Sequence, residues 1–221
     1  MKSDFQSEIA KLYEEATRIN EGREAALLLS RKLIQVSSKA IRNIHRGDSI
    51  AVKKLLSEAE QINQNLVKSI EDYPELFYAG YLHDSQKELV EAKVFLSLAD
   101  RTLIPTKHEL NVRVMTYLHG LAEAASEARR FILDRAREGN LIVAESILDQ
   151  CEEIYDELIG FDFPDGMTGG LRRAVDSLRA VLERTRSDLS TTASQMTLIK
   201  SLESTRTSLD EINRKADSQA E

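Results

Sequence analysis

The stretch Leu29-Ser30-Arg31-Lys32-Leu33-Ile34-Gln35-Val36-Ser37-Ser38-Lys39-Ala40-Ile41-Arg42-Asn43-Ile44-His45-Arg46 sets Leu29, Leu33, Val36, Ala40 and Ile44 three or four residues apart. That is the period of an α-helix with one apolar face, and it excludes a strand. Upstream, Ile9, Leu12, Ala16 and Ile19 keep the same rhythm, so the first 46 residues read as one long helix. Gly47-Asp48 then supplies a helix stop followed by a new N-cap.

Working outward, the helical grammar repeats. Ile50, Leu55, Leu56, Ala59, Ile62 and Leu66 predict a second helix that ends near Pro74. A third is expected from about His83 to Asp100, and a fourth from about Lys107 to Glu138, ending at Gly139-Asn140. Leu141, Ala144, Ile147, Leu148, Cys151, Ile154 and Leu158 mark a fifth, which runs into a loop over 160–170. Leu171, Val175, Leu178 and Leu182 mark a sixth. Residues 1–190 are expected to form one helical domain, and 191–221 a polar C-terminal helix or frayed tail.

Composition agrees with an all-α multi-helix bundle. The 221 residues contain three prolines and nine glycines, so few positions force a helix to end. No stretch approaches the roughly 20 apolar residues of a membrane span. The first residues have no apolar core of a secretory signal, and the single Cys151 reads as a core thiol, which together predict a cytoplasmic protein. A net charge of −7 argues against whole-surface nucleic-acid binding but leaves room for local basic patches.

Two kinds of charged pattern bear on function. On the third helix Asp84, Glu88, Glu91 and Phe95 share a face; on the fourth, Glu123 and Glu127 share one with Thr116 and Gly120. Small Gly120 and Ala124 would let another helix or a ligand come close. Facing each other, the stripes would gather three or four carboxylates, an oxygen-only ligand set suited to Mg²⁺ or Mn²⁺. Such a site could activate water against a phosphodiester. On spacing alone, an ordinary solvated helix face accounts for the same residues. The basic clusters include Arg129-Arg130 and Arg172-Arg173, which could contact phosphates, while Phe77, Tyr78, Tyr81 and His83 could stack on unpaired bases.

Several segments together resemble the translin/TRAX family over most of residues 20 to 190. These are Ser30-Arg31-Lys32-Leu33 with Ser38-Lys39 and Ile44-His45-Arg46, and Tyr117-Leu118-His119-Gly120-Leu121-Ala122-Glu123 with Glu127 and Arg129-Arg130. The Gly139-Asn140 corner and Gly169-Gly170-Leu171-Arg172-Arg173 complete the pattern. The resemblance implies a translin-like fold of about seven helices, assembly into a homo-octamer, and binding of RNA and single-stranded DNA inside it. For a TRAX-like member it implies a Mg²⁺- or Mn²⁺-dependent endoribonuclease acting on single-stranded or short RNA. A translin-type member would instead be a non-catalytic nucleic-acid-binding oligomer. Glu88, Glu91-Ala92 and Glu123 match the family's catalytic carboxylates: all three would bind metal, with Glu127 in support. The chain departs from the family where Lys87, not glutamine, precedes Glu88, and where Glu123 stands in place of the usual aspartate.

Overall fold

The periodicity around Leu29 becomes a single helix: in a computed structural model of the chain, α1 spans Lys2–Arg46 without a break. The structure describes residues 2–217, with side chains for residues 4–210. After α1 come α2 (Ser49–Ser69), α3 (Gly80–Asp100), α4 (Val114–Arg137), α5 (Leu141–Ile159), the one-turn α6 (Asp165–Thr168) and α7 (Leu171–Asp217). No strand occurs among the described residues, so the fold is all-α, with seven α-helices. Gly47 and Gly139 turn the corners after α1 and α4 with φ of 73° and 85°, a backbone region that side chains resist. Asp48 caps α2 by accepting from the Ala51 amide at 3.0 Å.

Three boundaries differ from the expectation. A 3-10 turn, Pro74–Tyr78, precedes α3, which starts at Gly80 and not His83. The expected sixth helix and polar tail are one helix, α7; residues 218–221 of that tail lie outside the described residues.

The third difference is the start of α4, at Val114 and not Lys107. Thr106 and Glu109 do form a reciprocal capping box: the Thr106 amide donates to Glu109 Oε2 at 2.7 Å, and the Glu109 amide to Thr106 Oγ1 at 3.3 Å. The turn it starts is cut short at Asn111, whose φ is 49°. Topology explains why. Lys87 meets Glu123 and Phe95 meets Phe131, so α3 and α4 run side by side in the same direction. Residues 101–113 must therefore travel back along α3, which has 21 residues. That is about 31 Å of helix, within the roughly 43 Å that thirteen extended residues reach.

Helix α3 is the centre of the bundle. Val90, Val94, Phe95 and Leu98 are buried with Ile132 of α4, Ile147 of α5 and Leu178 of α7. On its other side Leu82 and Leu89 join Leu33 and Val36 of α1 and Ile62 and Leu66 of α2. Each such side chain contributes about 1.5–3 kcal/mol of transfer free energy. Cys151 is fully buried, and burial, aided by the Glu152 charge, pushes its thiol up to about 12. It is an inert core thiol.

Candidate metal centre

The carboxylates sit where α1, α3 and α4 meet, and one glycine makes the approach possible. A Cβ on Gly120 would lie 2.5 Å from both Cβ and Cγ1 of Val90 and 3.2 Å from the Lys87 carbonyl oxygen. Without a side chain there, α4 presses against α3 and brings Glu123 opposite Glu88 and Glu91. One carboxylate oxygen from each of Glu88, Glu91 and Glu123 lies within 4.8 Å of the other two, and all three residues are partly buried. The expected convergence between α3 and α4 is therefore present, and another helix, not a ligand, fills the space beside Gly120.

Each carboxylate has a different neighbour. Ser38 Oγ of α1 donates to Glu88 Oε2 at 3.1 Å. Lys87 Nζ donates to Glu123 Oε1 at 2.7 Å. Glu127, outside the triplet, shares a 2.7 Å hydrogen bond with His45 Nε2 of α1. The His45 ring packs 4.8 Å from Phe95. Glu91 is left without a hydrogen-bond donor among the described residues. Burial first, then the charges of Glu88, Glu123 and Glu127, raise its pKa to about 8. For Lys87, burial lowers the pKa, but the hydrogen bond and charge of Glu123, with Asp84 and Glu88, outweigh it and the net shift is upward.

The donor set fits a hard divalent cation. Three carboxylate oxygens from two rigid helices are the kind of ligand Mg²⁺ and Mn²⁺ prefer. A raised pKa at the member with no donor marks a cluster short of positive charge.

The other expected residues lie elsewhere. His83 is one turn before Lys87 on α3, hydrogen-bonded through Nδ1 to Thr116 Oγ1 at 2.9 Å and edge-on to His119 at 5.4 Å. Burial and then the neighbouring His119 lower its pKa. It lines a groove of about 790 Å³ shared with Tyr78, Arg113 and Met167. Arg129 is half-buried and braces α4 to α7, donating to Asp188 Oδ2 at 2.7 Å and Thr185 Oγ1 at 3.0 Å. Arg130 is exposed, 3.8 Å from Asp134. Arg172 and Arg173 are exposed beside Asp162 and Asp165 at 3.9 Å and 3.6 Å.

Sequence reasoning missed Ser38 and His45 as partners of the carboxylates, and Lys87 as the partner of Glu123. A signal existed: Ser38 and His45 are seven residues apart, as are Glu88 and Phe95, so two matched stripes face each other. Nothing in either stripe alone says which helix it meets.

Comparison with known proteins places this arrangement in context. No protein-family model matches the chain. An uncharacterized protein of Methanocaldococcus jannaschii is 31% identical over 172 residues, covering 76% of this chain and 75% of that protein. Among solved structures, AfC3PO superposes with a TM-score of 0.79 at 30% identity, covering 85% of this chain and 98% of that one. AfC3PO in complex with duplex RNA gives 0.78 at 30% identity, covering 85% and 97%. The structure of apo-NeC3PO gives 0.75 at 21% identity, covering 83% and 96%, a likeness of fold alone. With nearly the whole length of AfC3PO matched in sequence and in fold, the chain belongs to the translin family that includes C3PO.

Proposed function

We propose that the chain is an endoribonuclease dependent on Mg²⁺ or Mn²⁺, working within a homo-oligomer, with Glu88, Glu91 and Glu123 as its metal ligands. The observation that carries this reading is the triplet of partly buried carboxylate oxygens within 4.8 Å of one another. Like charges packed this closely are costly, and an ordinary helix face avoids them. The duplex RNA bound by the related AfC3PO supports RNA as the substrate class.

A divalent cation held by these three carboxylates would stabilise charge developing on a phosphate and lower the pKa of a nearby water. The chain's own residues prepare the place. Ser38 fixes the carboxylate of Glu88, and Lys87 that of Glu123, so two ligands are held before anything binds. Glu91, whose pKa burial and the neighbouring carboxylates raise to about 8, would hold a proton at neutral pH and would release it to accommodate a divalent cation. Lys87 stays charged and sets a positive group beside the acidic cluster, which eases the approach of an anionic phosphodiester. His45 orients Glu127 in the same way from α1.

The test is incubation of purified protein with labelled single-stranded and duplex RNA, with Mg²⁺ or with EDTA. Cleavage with Mg²⁺ that EDTA abolishes is expected. RNA binding without cleavage in Mg²⁺ and in Mn²⁺ establishes the non-catalytic reading instead. Light scattering checks assembly: a mass near eight chains is expected, and a one-chain mass at micromolar concentration contradicts it.

A further inference from the structure

Helix α1 carries two arginines without partners on the edge that closes the carboxylate centre. That edge is marked by Ser38, whose hydroxyl donates to Glu88, and by His45, whose Nε2 meets Glu127. At 3.6 residues per turn, Arg31 and Arg42 project within about 60° of both. Lys32 projects about 120° from Ser38, toward α2, where it pairs with Glu58 at 3.3 Å. Arg31 and Arg42 are exposed and make no hydrogen bond or ion pair among the described residues. Arg42 lies four residues after Ser38 and three before His45, between the two hydrogen bonds that tie α1 to the carboxylates. Arg31 lies seven residues before Ser38, about 10 Å along the helix in the other direction.

A guanidinium is a stronger partner for a carboxylate than a hydroxyl is. Yet Glu88 and Glu127 are held by a hydroxyl and an imidazole, while Arg42, placed between them, stays exposed. Elsewhere arginines do pair: Arg129, Arg130, Arg172 and Arg173 each stand beside a carboxylate. Drawn inward, Arg42 would neutralise the acidic cluster and take the place of a metal cation. Left outside, the two guanidiniums set positive charge on either side of a centre whose carboxylates alone repel an RNA backbone. The planar fork of each matches two oxygens of one phosphate.

We infer that Arg31 and Arg42 grip the RNA backbone on the two sides of the phosphodiester presented to Glu88, Glu91 and Glu123, so that the strand runs along α1. That the gripped strand is the one cleaved rests on the nuclease reading; the grip itself does not.

The test is titration of the full chain with a labelled single-stranded oligoribonucleotide in EDTA at several salt concentrations, followed by cleavage of the same RNA in Mg²⁺. Arg31→Ala and Arg42→Ala are each expected to weaken binding about tenfold and to reduce the slope of log affinity against log salt by about 0.7. Together they should reduce it by about 1.4, with thermal unfolding unchanged, because neither side chain makes a polar contact within the fold. Arg42→Lys should keep the slope and recover only part of the affinity, since an ammonium lacks the planar fork. Arg184→Ala removes an exposed, unpaired charge from α7 and should change neither readout. In Mg²⁺ the double variant should raise KM more than it lowers kcat. Wild-type affinity and salt slope in the double variant overturn the inference, as does an equal loss in Arg184→Ala. Binding lost in the double variant while the wild type never cleaves supports the grip and removes the nuclease reading alone.

Discussion

The acidic triplet and the arginine pairs are written in the sequence in the same hand: charged residues within helices, each explicable as a solvated face. The structure treats them oppositely. Glu88, Glu91 and Glu123 are driven together, whereas Arg129 is consumed by Asp188 and Thr185, and Arg130, Arg172 and Arg173 each stand beside a carboxylate. Opposite charges that pair are ordinary surface chemistry worth about 0–1 kcal/mol when exposed. Three packed carboxylates with one cation among them, Lys87 on Glu123, need a further partner. That asymmetry is what separates a candidate site from a surface.

The contrast can be broken at several points. The largest effect is expected from Glu88→Gln, Glu91→Gln or Glu123→Gln, each lowering RNA cleavage by about 100-fold or more while light scattering shows assembly intact. Wild-type rates in all three variants would remove the triplet from the chemistry. Next comes Gly120→Ala. Its new methyl overlaps Val90, so α3 and α4 must separate, at a cost of about 1–3 kcal/mol in denaturant unfolding. Val90→Ala in the same chain should recover part of both stability and activity, which a simple loss of helix packing elsewhere does not predict.

The metal-free protein should also respond to pH. Glu91 holds its proton up to about pH 8 when folded, against an ordinary value of 4.5. The folded state thus binds more protons between those values, and the stability this confers is complete below about pH 4.5 and lost as pH rises through about 8. Thermal unfolding in EDTA should show this decline, and Glu91→Gln should flatten it and raise Tm at pH 8. The arginines give the smallest effects. Arg129→Ala should cost about 1 kcal/mol by releasing α7 from α4. Arg172→Glu with Arg173→Glu should leave Tm unchanged and weaken RNA binding, reducing its salt dependence. Unchanged RNA affinity would make those two a plain surface.

Much of this was legible before any coordinates. The spacing of Leu29 to Ile44 gave α1, Gly47-Asp48 and Gly139-Asn140 gave two corners, and Gly120 beside Glu123 pointed to a close approach. Local signals failed where long-range topology overrode them. Thr106 and Glu109 form a genuine capping box, yet the chain must return along α3 before α4 can start, so the helix begins at Val114. Ser38 and His45, and Lys87 as the partner of Glu123, could not be assigned from the sequence because their roles depend on which helices meet. The pairing of Arg129 with Asp188, 59 residues away, was hidden for the same reason.

The central claim is that the triplet holds a divalent cation, and Mn²⁺ titration by calorimetry at pH 7 tests it most directly. Cation entry should displace the Glu91 proton, so the measured heat should change with the ionisation enthalpy of the buffer. In Glu91→Gln the affinity should fall about tenfold or more and the buffer dependence should disappear. Mn²⁺ binding with equal affinity in the variant, or none in the wild type, would contradict the account.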